Sequence, residues 1–445
     1  MKINPIIFKA YDIRGIYPQE INKQSAYLIG RAYIKFLKKK NPQIVIGQDN
    51  RFSSSILFKK LAKGMIDSGA NVIDIGLSTT PMLYFAVACY GFDGGIQITA
   101  SHNPSEYNGF KVVRKKAIPI SSVTGLKKIQ KLTESDFVNL KLKGKIIKKD
   151  VLQDYIAFNL KMVEIKKIKP LKIIIDTANA VPGIIVSEIL KKIPGKTYHL
   201  FKKLDGNFPN HHPDPSTKEN LKILQKEVLK KKADLGVAFD GDGDRVVFID
   251  EKGGIISGDL ICALMSKFLL KENPGQKILH DLRCSKIVSE TISLFDGKPV
   301  LSRVGHSFVK EKMRKENILF GGELSGHFYY KNHYFTEAPI FVLLKILQIL
   351  SETQKSFSKL IKPFKKYFYS GEMNFKVENK EKKIKELKSH YQSGKLLEID
   401  GLRVDFNDWW FLVRPSNTEP VLRLIIEAKS KKLLEQKIKE LSSFM

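Results

Sequence analysis

Ser101 stands in the stretch Thr-Ala-Ser-His-Asn-Pro, Thr99 to Pro104, and the chain later runs Asp-Gly-Asp-Gly-Asp-Arg from Asp240 to Arg245. A serine hydroxyl can carry a phosphoryl group, and closely spaced carboxylates can hold the divalent cation such a group needs. In extended chain, residues i, i+2 and i+4 project to one face, so Asp240, Asp242 and Asp244 can converge on one ion. Gly241 and Gly243 let the loop bend around it. Together the two stretches carry the chemistry of a phosphoserine phosphotransferase.

Two other meanings of the acidic loop fail on its surroundings. Glu251 falls at the twelfth position from Asp240, as in the calcium loop of a helix-loop-helix hand, but the sixth position holds Arg245 instead of Gly. The residues that follow, Val246 to Ile249, are a strand-like apolar run rather than an exiting helix. A merely solvated acidic turn rarely stands between two apolar runs, here Leu235 to Phe239 and Val246 to Ile249. Ser-His-Asn-Pro taken alone is ambiguous, because Asn and Pro also build ordinary turns.

Four ordered motifs remove that ambiguity. Thr-Ala-Ser-His-Asn-Pro-Ser-Glu-Tyr-Asn-Gly-Phe-Lys (99 to 111), the Asp240 to Arg245 loop, Gly-Gly-Glu-Leu-Ser-Gly-His (321 to 327) and Arg-Pro-Ser-Asn-Thr-Glu-Pro (414 to 420) succeed one another, after Tyr-Asp-Ile-Arg-Gly at Tyr11 to Gly15. The chain resembles the α-D-phosphohexomutase superfamily over nearly its whole length, most closely the phosphomannomutase/phosphoglucomutase branch. The resemblance implies that phosphorylated Ser101 gives its phosphoryl group to a hexose monophosphate, and that the resulting hexose 1,6-bisphosphate turns over and returns its other phosphate. It implies one Mg²⁺ held by Asp240, Asp242, Asp244 and the Ser101 phosphate, with the bisphosphate also serving as activator.

Proton transfer needs an acid and a base. Lys111 and His327 are the candidates, with Arg14 and Arg245 supporting charge at the moving phosphoryl group. A lone histidine is more often a hydrogen-bonded structural residue; the motif around His327, with Glu323 and two glycines, argues for function. Glu323 and Ser325 suit sugar hydroxyls. Arg414, Ser416, Asn417 and Thr418 suit the nonreacting phosphate, a guanidinium fork with small donors. By resemblance Tyr11, His102, Asn103, Arg283, Gly305 and His306 also face the substrate. Two departures occur there: the family commonly has Lys at Arg283 and Thr at Val304, and Arg keeps the charge while changing the geometry. Phosphoglucosamine mutase is the alternative inside the superfamily, but its loops usually carry Gln where this chain has Leu324 and Gly where it has Asn417. A phosphatase built on the same serine and metal is a further alternative, and nothing obvious in the sequence positions its water.

These loops need a scaffold, and the 445-residue length sets its scale at about three domains or more. Up to about 150, apolar runs (Ile44 to Gly47, Asn71 to Gly76, Gly94 to Ala100) alternate with helical patterns at Ser55 to Ser68 and Pro81 to Tyr90, an α/β layer pattern. The alternation is renewed over 151–250, with strands at Leu171 to Asp176, Thr197 to Phe201 and Ala233 to Asp240, and over 251–367, with strands at Lys277 to Leu282, Pro299 to Val304 and Ile318 to Gly322. In each unit a strand runs into a polar loop, Ser101 to Gly109, Asp240 to Asp244 and Glu323 to Gly326. With the architecture that the resemblance implies, this faint symmetry gives the expected fold: three similar mixed α/β domains around a central cleft, each lending one loop at a strand end. The segment 368–445, with strands at Glu372 to Val377, Leu396 to Phe406 and Val421 to Ala428, reads as a smaller α+β domain carrying Arg414.

Composition narrows the partners. With 76 Lys and Arg against 46 Asp and Glu the net charge is +30, yet no nucleic-acid reading module is recognisable and runs such as Lys38 to Lys40 and Lys230 to Lys232 end amphipathic helices, where cations suit the macrodipole. A basic nonenzymatic nucleic-acid-binding protein is thus the weaker reading; the positive field favours arrival of an anionic sugar phosphate. Only eleven of the basic residues are arginine, and three of those, Arg14, Arg245 and Arg414, lie in motifs, where a planar guanidinium binds phosphate with paired hydrogen bonds. The three cysteines are far apart and in no metal spacing, no apolar run approaches the roughly 20 residues of a membrane span, and no signal peptide opens the chain. A cytoplasmic enzyme without membrane partner, monomeric or weakly oligomeric, is expected.

Overall fold

The computed structural model describes residues 3–137, 143–415 and 421–445, which form four sheets in succession along the chain. The first has the order Ile13–Ile16, Tyr107–Arg114, Gly94–Ile98, Gln43–Gln48, Asn71–Leu77, Ile146–Lys148, with Ile118–Pro119 added on Tyr107–Arg114. The second runs Ile255–Ile256, Val246–Asp250, Leu235–Phe239, Leu171–Asp176, Gly195–Leu200, and the third Thr336–Glu337, Phe328–Tyr330, Phe320–Gly322, Lys277–Asp281, Lys298–Ser302.

One plan repeats in all three. A central strand (Gly94–Ile98, Leu235–Phe239 or Phe320–Gly322) lies parallel to its inner neighbour and antiparallel to the strand that follows it in sequence. Each central strand is buried along its length, so its residues carry no solvent-facing polar alternation, as a strand covered on both faces requires. The turn leaving each central strand is one of the three polar loops. Loop placement therefore follows from sheet topology, and the three turns emerge at equivalent corners.

The C-terminal sheet is antiparallel throughout, with Phe368–Tyr369 and Met373–Lys376 on Val421–Ala428, then Trp409–Pro415, Leu402–Asp405 and Lys395–Leu397. Here the expected single strand from Leu396 to Phe406 is two strands, because the chain reverses at Gly401, whose φ of 85° suits a residue without Cβ. Two further differences concern limits. The loop expected over Ser101 to Gly109 is shorter, since the strand carrying Lys111 begins at Tyr107. The second sheet continues past 250 to Ile256, because Ile255–Ile256 hairpins back onto Val246–Asp250.

The largest apolar cluster draws side chains from Val45 to Phe364, and so from all three α/β units. Helix Pro339–Thr353 is buried from Pro339 through Ser351 and belongs to it. A separate cluster fills the C-terminal domain, and a small one of Leu282, Trp410, Leu412 and Ile425 joins that domain to the third unit. The lysine runs behave as surface: Lys38, Lys39 and Lys40 are exposed beyond helix Lys23–Leu37. Among the described residues no helix is long and apolar enough to cross a membrane.

Candidate active site

Ser101 is buried at the corner after Gly94–Ile98, with a left-handed φ of 53°. That conformation costs a non-glycine residue about 1–2 kcal/mol, and its surroundings hold it. Its N–H donates to Thr99 Oγ1 at 2.9 Å, and its Oγ donates to Asp240 Oδ2 at 2.8 Å. Gly241 is pressed against it: a Cβ there would meet the Ser101 carbonyl oxygen at 2.3 Å. The first and second units are thus docked with the serine hydroxyl on the acidic loop.

Asp240, Asp242 and Asp244 are all buried, and ligand oxygens from the three lie within 4.8 Å of one another. Asp240 Oδ1 accepts from the N–H groups of Asp244 and Arg245 at 3.0 and 3.1 Å, folding the loop around its own first residue. Asp242 is fixed by Thr80, whose hydroxyl donates to Oδ2 and whose N–H donates to the Asp242 carbonyl at 2.9 Å. Lys111 reaches across from strand Tyr107–Arg114 and donates to Asp242 Oδ2 and Asp244 Oδ2 at 2.6 Å each. Among the described residues Asp242 Oδ1 is a buried acceptor without a hydrogen bond, and Asp244 Oδ1 faces His327 Nε2 at 3.2 Å. Buried acceptors lose free energy when left unpaired, and a cluster of hard, anionic oxygens suits a hard divalent cation.

Electrostatics separate the three carboxylates. Burial and the neighbouring Asp244 and Asp242 push Asp240 well up. Burial also pushes Asp244 up, but Lys111, His327 and Arg245 outweigh it and hold the carboxyl well below its ordinary value. Burial pulls Lys111 down while the three aspartates raise it further, so it stays an ammonium ion. His102, 3.3 Å from Ser101 Oγ through Nδ1, is held well below its usual range by Arg245 and by burial, and is neutral.

The third loop closes the same cluster. Glu323 N–H donates to the His327 carbonyl at 2.9 Å, and Val246 N–H to the Gly326 carbonyl at 3.0 Å, so the second and third units meet backbone to backbone at Arg245 and His327. His327 Nε2 lies 3.2 Å from Asp244 Oδ1 and 3.4 Å from Arg245 Nε, and its Nδ1 lies 2.9 Å from Ser325 Oγ. Glu323 is more enclosed than a free sugar ligand: Oε1 accepts from Tyr329, while Oε2 lies 3.4 Å from Gly305 N and 3.6 Å from Arg283. Arg283 is itself clamped by Asp281, at 2.6 Å between Nη2 and Oδ2.

Arg14 joins from the first sheet, donating to Asn103 Oδ1 in the Ser101 loop and to Asp12. Tyr11 donates to the Val304 carbonyl at 3.1 Å and sets its ring edge-on to His306, which stacks over His327 at 6.3 Å. Arg414 is reached only indirectly: it lies 3.7 Å from Asp400, whose Oδ2 accepts from the Val304 N–H at 3.2 Å, and 3.7 Å from Glu372. Ser416, Asn417 and Thr418 lie outside the described residues. Ser101, Lys111, Arg245, His327 and the aspartates thus form one contiguous network, flanked by Arg14, Asn103, His102, Tyr11 and His306. Sequence reasoning gave no role to Thr99, although it opens the Ser101 motif, and missed Thr80, Asp281, Tyr329 and Asp400, which carry no motif of their own. Asp12 likewise had a signal, its place inside Tyr-Asp-Ile-Arg-Gly.

With this geometry in place, comparison with known proteins gives a consistent picture. Family models for phosphoglucomutase/phosphomannomutase match in order: alpha/beta/alpha domain I over residues 5–138, domain II over 151–254, domain III over 257–367 and the C-terminal domain over 372–442. The chain is 40% identical to a phosphomannomutase of Vibrio cholerae, covering 98% of each, and 40% identical to one of Methanocaldococcus jannaschii, covering 99% of this chain and 97% of that one. A crystal structure of a phosphoglucomutase/phosphomannomutase family protein from Burkholderia thailandensis superposes with a TM-score of 0.92 at 31% identity, covering 99% of this chain and 97% of that one.

Proposed function

The chain belongs to the phosphoglucomutase/phosphomannomutase family, and from that membership we propose that it interconverts hexose 6-phosphate and hexose 1-phosphate, of mannose, glucose or both, through phosphoserine at Ser101 and a hexose 1,6-bisphosphate. The observation that carries this reading is the buried contact of Ser101 Oγ with Asp240, inside a cluster that also holds Lys111, Arg245 and His327. Asp240, Asp242 and Asp244, with the Ser101 phosphate, would hold one Mg²⁺; the close-set buried carboxylate oxygens, with Asp242 Oδ1 unpaired among the described residues, are a fit for it. Bound there, it would supply positive charge to the transferring phosphoryl oxygens.

The residues divide the remaining work. In the first half-reaction the P–O bond to Ser101 Oγ breaks, a P–O bond to the sugar hydroxyl forms, the hydroxyl proton passes to a base and the serine oxygen takes a proton back. Lys111 has three N–H donors and spends two on Asp242 and Asp244, which leaves one for the phosphoryl oxygens or the departing serine. His327, with Arg245 beside it, is the partner for the attacking hydroxyl. The bisphosphate then reorients, and the same steps run in reverse with its other phosphate.

Purified protein with Mg²⁺ and a trace of hexose 1,6-bisphosphate should turn over mannose 1-phosphate or glucose 1-phosphate at least about tenfold faster than glucosamine 1-phosphate. Faster turnover of glucosamine 1-phosphate would reassign the substrate, and none on any sugar phosphate would end the proposal.

Arg414 is the anchor for the distant phosphate. Its carboxylate neighbours stand 3.7 Å away, so an incoming phosphate gains a bidentate partner without first breaking a close ion pair. Arg414→Ala should raise KM about 10- to 100-fold, the worth of a charge-assisted hydrogen bond, and should let more bisphosphate escape per turnover. Ser101 should still be phosphorylated in that variant. Wild-type KM and bisphosphate retention would show that the C-terminal domain does not hold the phosphate.

A further inference from the structure

Arg51 lies outside every motif that marks the site, yet its guanidinium is the most heavily committed group beside it. Nη2 donates to the carbonyl oxygens of Ser101 at 2.9 Å and Asn103 at 2.7 Å; Nη1 donates to those of Pro104 and, at 3.1 Å, Tyr107. Nε is paired with Asp49 at 3.1 Å, and Asp49 also accepts from the Arg51 N–H and the Ser54 hydroxyl. The side chain is buried, and from the second unit the ring of Phe208 covers it, 4.9 Å from the guanidinium carbon. One planar cation thus gathers four carbonyls of a single turn. A neutral side chain would leave those carbonyls unpaired, and an ammonium lacks the fork that reaches them together.

We propose that Arg51 is a positioning residue for phosphoryl transfer, which rests on the mutase reading above: it locks the Ser101 turn from behind so that Oγ keeps its aim through both half-reactions. The Ser101 carbonyl is the pivot. It is held on one side by Arg51 Nη2 and bounded on the other by Gly241, so the left-handed serine cannot relax without losing the Arg51 bond. Phe208 gives the lock a second function, since it ties the turn of the first unit to the segment of the second that follows strand Gly195–Leu200. Asp49 keeps the cation oriented and neutralises its charge, so the lock adds little positive field of its own to the phosphoryl group.

Arg51 also borders a cleft, although its side chain is fully covered in the intact protein. The cleft, of about 530 Å³, is lined by Asp49, Arg51, Phe52, Gly206 and Asn207 among others. A small guanidinium ion can therefore reach the space that a truncated side chain would vacate.

The test compares wild type, Arg51→Lys and Arg51→Ala in full-length protein, with and without millimolar methylguanidinium. It reads kcat and KM on glucose 1-phosphate, the fraction of Ser101 phosphorylated by intact mass, and the thermal midpoint. A displacement of about an ångström at a reacting atom costs roughly 10²-fold. Arg51→Lys should therefore lose about that much in kcat with KM within threefold, and methylguanidinium should restore at least tenfold to Arg51→Ala while leaving wild type and Arg51→Lys unchanged. Because rescue is read on turnover of folded protein, a fault that merely lowers the folded fraction moves the midpoint and is not repaired in this selective way. If Arg51→Lys keeps kcat within threefold of wild type, or if Arg51→Ala is folded, slow and not rescued, the lock is wrong while the mutase reading stands. Absence of turnover and of Ser101 phosphate in wild type would remove the mutase reading itself and the lock with it.

Discussion

Turnover of the Ser101→Ala protein should fall to below about 10⁻⁴ of wild type, the scale of losing a covalent nucleophile. The loss should be chemical. Alanine removes one oxygen that, among the described residues, joins the acidic loop by the 2.8 Å hydrogen bond to Asp240 Oδ2, while the turn itself is held by groups that the substitution leaves in place: Thr99 on the N–H, Arg51 on the carbonyl and Gly241 against it. Substrate affinity should change little, because Glu323 and Ser325, expected at the sugar hydroxyls, and Arg414, expected at the distant phosphate, lie in other loops, and the substitution leaves His102 and Asn103 in place. Peptide mapping of active wild type should find the phosphate on Ser101, and steady-state assays should show the collapse in kcat. Full activity in Ser101→Ala, with the phosphopeptide mapping elsewhere, would overturn the assignment.

Removal of the divalent cation should be nearly as damaging. Excess chelator should lower turnover by at least about 10³-fold, reversibly on adding Mg²⁺, and Asp242→Asn should weaken apparent Mg²⁺ affinity about 10- to 100-fold. Both follow from charge. Three buried carboxylates face Lys111 and Arg245, with Arg245 Nε 3.9 Å from Asp240, so a phosphoserine dianion would add to an existing excess of negative charge. Asparagine keeps an oxygen to accept the Thr80 hydroxyl and removes one of the mutually repelling charges. Metal-free Asp242→Asn should consequently melt no lower than metal-free wild type, which separates lost metal binding from lost folding. Titration calorimetry and thermal scans with and without Mg²⁺ read both quantities, and undiminished turnover in excess chelator would dismiss the metal.

The sequence exposed the site loops because their signals are local. Asp-Gly-Asp-Gly-Asp between two apolar runs specifies both a turn and its strands, and the second sheet has its strands at Leu235–Phe239 and Val246–Asp250 on either side. Lys111 was nameable as a candidate, but its placement across the aspartates depends on the antiparallel pairing of its strand with Gly94–Ile98, a long-range fact. Arg51 was illegible for a different reason. It binds main-chain carbonyls, which every residue possesses, so no side-chain pattern in the partner segment announces it. Thr80 and Asp242 are joined only by the docking of two units. Within the C-terminal domain, Leu396 to Phe406 carries continuous strand character and a single glycine marks the reversal, too weak a signal against the flanking apolar residues.

The continuous apolar cluster running from Val45 to Phe364 has a consequence for how this chain comes into being. The first unit also has an interior of its own, from Ile7 to Ile129, but each of the three units sends side chains into the shared cluster as well, so that part of the packing can reach its final density only once a ribosome has released all three. The repeat is therefore one of topology and not of independent modules, and excising a unit would strip its neighbours of partners. The C-terminal domain, with its own cluster and a seam of only a few apolar side chains to the third unit, contributes none of its described residues to the shared cluster, so its interior can be completed without it.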